Sequence, residues 1–311
     1  MLKTPLAWIF SSFFLATKVS GIQVTSLYRY AVKGLSGDSL SSVKLATHGE
    51  TFPDDRRYAL LYEKNQDKFN GKDWLHKENF LCAFTEPALM ASLESKYNIK
   101  TNEEGTIERL LQIHDRYTNE LLLPPTDLST FQGRDSLGKL LSRLSGKKVV
   151  CVTADADESP QTFQFGNTSS GYKKNKGDTR TVHIVNRQTV NALSNAIGIP
   201  LDPRRFRPNI VIDGPSPFAE FEWVENGQFL GTSSGSGRLR ALSRTVRCRG
   251  ISLDPFDEQH GSTELDIPAL LVEHFPQHGP FLGIYASLEQ APFSLAVGDE
   301  LMLVDGVFTE E

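Results

Sequence analysis

From residue 22 onward, short apolar runs alternate with Gly, Pro and charged punctuation, a rhythm of strands and turns rather than of long helices. Residues 22–129 carry it most clearly, broken at Gly34, Gly37, Gly49 and Pro53, and residues 58–62 form a compact apolar run that suits a buried strand. The period then changes. Leu137, Leu140, Leu141 and Leu144 fall on one helical stripe, with Asp135 as the expected N-cap and Gly146 as the stop. Residues 149–152 return to a strand, while residues 155–178 turn to Asp, Ser, Gly, Asn and Lys and read as a mobile loop. Residues 182–185 predict a strand, and Asn186 then caps a helix striped by Val190, Leu193 and Ile197 and stopped by Gly198 and Pro200. A further helix is predicted over residues 267–275 behind Asp266, with strands over residues 209–212, 239–253, 281–288 and 300–307. The pattern is α+β, mostly β, with no internal repeat.

The first 21 residues depart from this rhythm. Residues 5–16 are almost entirely apolar, between Lys3 and Lys18. Twelve residues are short for a membrane span but have the length of a signal-peptide core. A signal, a weak membrane anchor, a targeting segment and a simply docked first segment all remain open. Beyond it, 311 residues suit two domains of ordinary size, and we expect them over residues 22–150 and 151–311.

Composition narrows the chemistry. With 39% apolar and 23% charged residues the chain folds into globular units, and a net charge of −5 argues against nucleic acid as a partner. The three cysteines, Cys82, Cys151 and Cys248, form no C-x-x-C pair and have no histidine at zinc-like spacing, which argues against a disulfide scaffold or a structural zinc. The seven histidines are scattered singly.

Against that acidic background one stretch is basic. Arg238, Arg240, Arg244, Arg247 and Arg249 crowd around Cys248 with no acid before Asp254. In an unbulged strand, Val246 and Cys248 would share one face and Arg247 and Arg249 the other. Nearby guanidinium groups favour a thiolate, which suits Cys248 as a soft-metal ligand or nucleophile beside an anion site. The competing reading is a small buried hydrophobe beside a solvated charged face. A second basic node, Arg204, Arg205 and Arg207, precedes the strand that begins after Pro208. The proline should hold Arg207 extended at the strand entrance, where its rigid fork suits phosphate.

These motifs together resemble a known family. Residues 206–211 (Phe-Arg-Pro-Asn-Ile-Val), Ala219-Glu220, and Cys248 with Asp254-Pro255 six and seven residues later are similar to the MOSC domain. Residues 27–34 and Asp55-Arg56-Arg57-Tyr58 resemble the two motifs of the associated N-terminal β-barrel domain, and Gly283-Ile284-Tyr285 and Val297-Gly298-Asp299 the closing strands. Within that family the chain is most similar to the mitochondrial amidoxime-reducing component. The resemblance implies a MOSC β-barrel packed with an N-terminal β-barrel-like domain and a few peripheral helices. It implies molybdenum cofactor (Mo-molybdopterin) held through Cys248, as metal ligand and catalytic residue. Lys33 and Arg56 would reach in from the N-terminal domain to the pterin phosphate, together with Arg207. Thr179, Asn209, Arg247 and Tyr285 would line the cofactor pocket.

Departures from the family matter too. Gly34 stands where the family has serine, Arg180-Thr181 where it has Ser-Pro, and Ile251-Ser252-Leu253 where it has Thr-Thr-Val. One phosphate or pterin contact is therefore expected to be rebuilt, with the Arg180 guanidinium a candidate.

The resemblance implies an oxidoreductase that removes oxygen from N-hydroxylated small molecules. No flavin, haem or iron–sulfur motif appears, so electrons would come from outside, by analogy from a cytochrome b5 with its NADH-dependent reductase. A non-enzymatic cofactor carrier or sulfur-transfer module is the alternative. The family is also associated with pyridoxal phosphate through sulfurases, whose additional domain would not fit in this length. A third reading is an anion-binding β-protein without metal. Location stays open between the mitochondrial outer membrane, another membrane surface reached through residues 5–16, and the cytoplasm.

Overall fold

The computed structural model describes residues 21–71, 74–154, 164–166, 180–233, 235–253, 256 and 264–304. The apolar stretch 5–16, Thr179, most of the 155–178 loop and the Asp254-Pro255 pair lie outside the described residues. Among the described residues no helix is long and apolar enough to cross a membrane.

The first half of the chain supplies strands β1 (Ile22–Arg29), β2 (Asp38–Leu40), β3 (Ser42–Leu45), β4 (Tyr58–Tyr62), β5 (Phe80–Leu81), β6 (Leu93–Thr101), β7 (Ile107–Asp115), β8 (Leu121–Asp127) and β9 (Val149–Thr153), with helices α1 (Pro87–Ser92) and α2 (Phe131–Ser145). The second half supplies β10 (Val182–Asn186), α3 (Arg187–Ile197), β11 (Ile210–Asp213), α4 (Ala219–Glu225), β12 (Phe229–Thr232), β13 (Arg238–Val246), α5 (Ile267–His274), β14 (Phe281–Gln290), β15 (Phe293–Ala296) and β16 (Glu300–Val304). The fold is α+β and mostly β.

Seven strands close a barrel in the order β11-β10-β14-β13-β12-β16-β1, sealed by antiparallel pairing of β1 with β11. Closure removes the open edges that a sheet of this size would otherwise expose. Its interior is packed by Val24, Leu27, Ile184, Ile212, Leu230, Leu239, Ile284 and Leu301, with Phe218 and Trp223 of the α4 region against them. The pair β10–β11 is parallel, which demands a crossover, and α3 makes it. Asn186 caps α3 by accepting from the Gln188 N–H, and Gly198, at φ 70°, ends it.

The halves are interleaved: β1 belongs to the barrel, and β3 pairs with β15. The remaining N-terminal strands form a β5-β4-β9 sheet and a β6-β7-β8 meander around a second core that includes Tyr58, Leu60, Tyr97, Leu111, Leu137 and Leu141. Helix α2 starts earlier than the leucine stripe alone predicts, because Thr130 rather than Asp135 accepts the capping bond, from the Gly133 N–H. Leu144 falls off the buried stripe and is 36% exposed.

Candidate functional site

Three non-glycine residues in the two turns that carry Arg56 and Arg207 have left-handed backbones: Asp54 (φ 60°), Arg56 (φ 49°) and Arg207 (φ 57°). Such geometry is unfavourable by itself, and its clustering marks a place where the surroundings impose it. The Arg56 N–H donates to the Tyr30 carbonyl (2.7 Å), and its neighbour Asp55 is fully buried. Its carboxylate accepts from the Tyr30 N–H (2.9 Å), Arg56 Nη1 (2.5 Å), Asn209 Nδ2 (2.9 Å) and Gln164 Nε2 (2.7 Å). The Asp-Arg-Arg-Tyr motif is thus a buried hub that ties β1, the 52–57 turn, residue 164 and the entrance of β11 together. Arg57 turns the other way and pairs with Asp54 (3.3 Å).

Arg207 was expected to be extended before Pro208. It is left-handed instead, because it caps a 3-10 turn, Pro203–Phe206, with its N–H donating to the Arg204 carbonyl. Its Nη1 donates to the Gly34 carbonyl (3.3 Å), and its guanidinium lies 4.4 Å from the Tyr30 ring centroid, which Arg56 also approaches at 4.6 Å. Tyr30 therefore lets two like charges share one site through its π-face. Gly34, at φ 97°, passes so near the turn at residue 82 that an added Cβ would sit 2.8 Å from the Cys82 Cα, so a serine does not fit here without movement.

Strand β13 ends at Val246, with register shifts against β14 between Ala241 and Ser243 and again between Arg244 and Val246. The simple alternation expected through residue 249 is therefore lost. Cys248 leaves the strand in extended conformation and caps a 3-10 turn, Arg249–Ile251. Burial alone would raise the Cys248 thiol. The Gly250 N–H, the Lys77 ammonium and Arg247 outweigh it and hold the thiol below its ordinary range. Lys77 itself lies 3.8 Å from the Phe84 ring centroid.

Arg247 is gripped from both sides. Its Nη2 donates to the Phe206 carbonyl (3.0 Å), and its Nη1 faces His183 Nε2 at 3.4 Å. The ring also meets two backbone carbonyls, Arg207 at 3.2 Å from Nδ1 and Leu282. Burial, and then Arg247, push the His183 pKa well below its ordinary value, so the ring is neutral at physiological pH.

These groups meet at one cavity of about 160 Å³. Lys33, Gly34, Arg56, Arg207, Arg247, Cys248 and Tyr285 line it, joined by Lys77, Cys82, His183 and Thr245. Lys33 donates to the Phe165 carbonyl at 2.6 Å, and burial together with Arg56 and Arg207 lowers its pKa. Burial likewise brings Arg207 down to about 10, which still leaves it charged at neutral pH. Among the described residues no carboxylate lines the cavity, so Lys33, Arg56, Lys77, Arg207 and Arg247 make it strongly anion-seeking within an acidic chain.

Asn209 does not line the cavity. It is buried, with Nδ2 donating to the Tyr28 carbonyl and Asp55, and Oδ1 accepting from the His183 N–H and Arg56. Arg180 lies away from the cavity, close to Gly49 and electrostatically coupled to Glu50. No spacing or composition signal marked His183, Lys77 or Asp55 as parts of the site. Asp55 stood inside a quoted motif without a role, while His183 and Lys77 sit in segments with no distinguishing pattern.

Among the described residues no group of three or more His, Cys, Asp and Glu side chains could hold a metal. Compared with known families, residues 171–302 match the MOSC domain, which is associated with molybdenum-cofactor binding. No curated protein matches the chain.

Proposed function

We propose, from the MOSC domain that residues 171–302 form, that the cavity binds the molybdenum cofactor and that the chain is an oxidoreductase acting on N-hydroxylated small molecules. One observation carries this reading: an acidified thiol, Cys248, borders a cavity whose cations come from both halves of the chain and which no carboxylate among the described residues lines. A buried Arg247 Nε without a hydrogen-bond partner supports a ligand at this place.

The residues fit the group. Cys248 would supply the protein sulfur, a soft ligand suited to molybdenum. Lys33, Arg56 and Arg207 would hold a phosphate, with Arg56 and Arg207 oriented by Asp55 and Tyr30. When bound, the cofactor supplies two-electron oxygen-atom-transfer chemistry, which the side chains present do not have. His183, held neutral, packs 3.4 Å from Arg247 Nη1 and carries no charge of its own into the cavity at neutral pH. Tyr285 lies 5.3 Å from the His183 ring, centroid to centroid, and completes that wall. The similarity of motifs to the amidoxime-reducing component supports the substrate class, with electrons from a cytochrome b5 and its NADH-dependent reductase.

The test is to express the chain with cofactor supply, measure bound molybdenum and pterin, and assay benzamidoxime reduction with the reconstituted donor. Wild type should carry both and turn over, and Cys248→Ala should lose metal and activity. Full molybdenum content in Cys248→Ala sinks the ligand assignment. Bound cofactor without turnover by any reduced donor points instead to a carrier.

A further inference from the structure

We propose that Thr245 contacts the ligand of this cavity and that, with Nε of Arg247, it forms a donor pair for a negatively charged or strongly polarised oxygen atom. This deepens the reading above and rests on the cavity being a ligand site, though not on the ligand being molybdenum cofactor.

Thr245 is the residue at which β13 slips register against β14, between Arg244 and Val246. Such bulges re-aim side chains and are frequent beside functional sites. The residue lines the cavity, is 2% exposed, and its Oγ1 is shielded from water and has no hydrogen-bond partner. Nε of Arg247, two residues on, is in the same condition. Nη2 and Nη1 of that guanidinium engage the Phe206 carbonyl and His183, while the buried Nε–H meets no acceptor among the described residues.

Valine has nearly the shape of threonine and would fill this strand position without a buried hydroxyl. An unpaired buried hydroxyl destabilises the fold, so packing does not account for it. An outside partner does. Arginine Nε can only donate and a threonine hydroxyl can turn to donate, so the shared partner is an acceptor oxygen. The absence of any carboxylate among the described lining residues removes the repulsion an anionic oxygen would otherwise meet.

Full-length chain prepared without cofactor supply, with Thr245→Val and Thr245→Ser, is titrated calorimetrically with molybdate and separately with inorganic phosphate. Melting is followed without either ion. Thr245→Val should melt about 2–4 °C higher and bind at least one of the oxyanions roughly tenfold more weakly, about 1.4 kcal/mol, while Thr245→Ser stays near wild type. A stabilised variant with weakened binding is what a merely structural hydroxyl would not give. Unchanged affinity for both ions in Thr245→Val, a lower melting temperature for it, or no binding of either ion by wild type overturns the proposal. Weakened oxyanion binding in Thr245→Val, in a chain that never acquires molybdenum, keeps this inference and removes the cofactor reading. Full molybdenum loading with unaltered oxyanion affinity does the reverse.

Discussion

Glu220→Gln should abolish a fall in stability with rising pH that the wild-type chain shows between about pH 4.5 and 7. Glu220 is completely buried at the start of α4. Its carboxyl accepts from Asn186 Nδ2 at 2.9 Å and from Thr189 Oγ1 at 2.9 and 3.1 Å. Burial outweighs those bonds and raises its pKa from 4.5 to about 7. Between these values the folded chain binds a proton that the unfolded chain has lost. The contribution is therefore fully present below pH 4.5 and is lost as pH rises through 7. A displacement of about 2.5 pH units, at about 1.36 kcal/mol each, gives roughly 3 kcal/mol. Guanidinium denaturation at pH 5, 6, 7 and 8 reads it, and the difference between wild type and Glu220→Gln cancels other titrating groups, such as Asp38, whose pKa burial raises to about 6. Glutamine should cost about 1 kcal/mol at low pH for an altered hydrogen bond, with the gap reversing toward pH 8. A wild-type-minus-variant difference that stays constant across the series refutes the argument.

Two further outcomes follow from the site. Iodoacetamide at pH 7 should label Cys248 first, since its thiol is held below the ordinary range, whereas burial pushes Cys151 up to about 12 and Cys82 is buried. Peptide mass spectrometry that finds Cys151 or Cys82 labelled ahead of Cys248 contradicts the electrostatic account. Asp55→Asn should destabilise the fold by about 3–5 kcal/mol, because Arg56 loses its buried counter-charge. An equilibrium unfolding loss below about 1 kcal/mol would show that the carboxylate hub does not organise the site.

What could be read in the sequence was what depends on near neighbours in the chain. Asn186 and Gly198 bound a helix through bonds that close within a few residues, and both are legible as letters. The end of β13 was not, because after three register slips against its partner β14 the strand stops at Val246, and Cys248 already caps the 3-10 turn that follows. The conformation of Arg207 was missed for a similar reason: proline's local preference for an extended predecessor is overridden by the preceding 3-10 turn.

At the site, the arginines around Cys248 announce an anion, and the resemblance to MOSC motifs nominates Lys33, Arg56 and Arg207, which the structure brings to the same cavity. No spacing rule links Asp55 to Asn209 or Gln164, more than a hundred residues away, nor His183 to Arg247. Those bonds exist only because barrel closure brings β1 beside β11 and sets β10 and β13 on either side of β14. Electrostatics makes the same point. A fixed set of cations with no lining carboxylate among the described residues is unfavourable by itself, and the fold tolerates it by placing one buried carboxylate against Arg56 and one aromatic face against Arg56 and Arg207. The charge left over in the cavity, from Lys33, Lys77, Arg207 and Arg247, is then the measure of what the ligand must bring, and it calls for more than one negative charge.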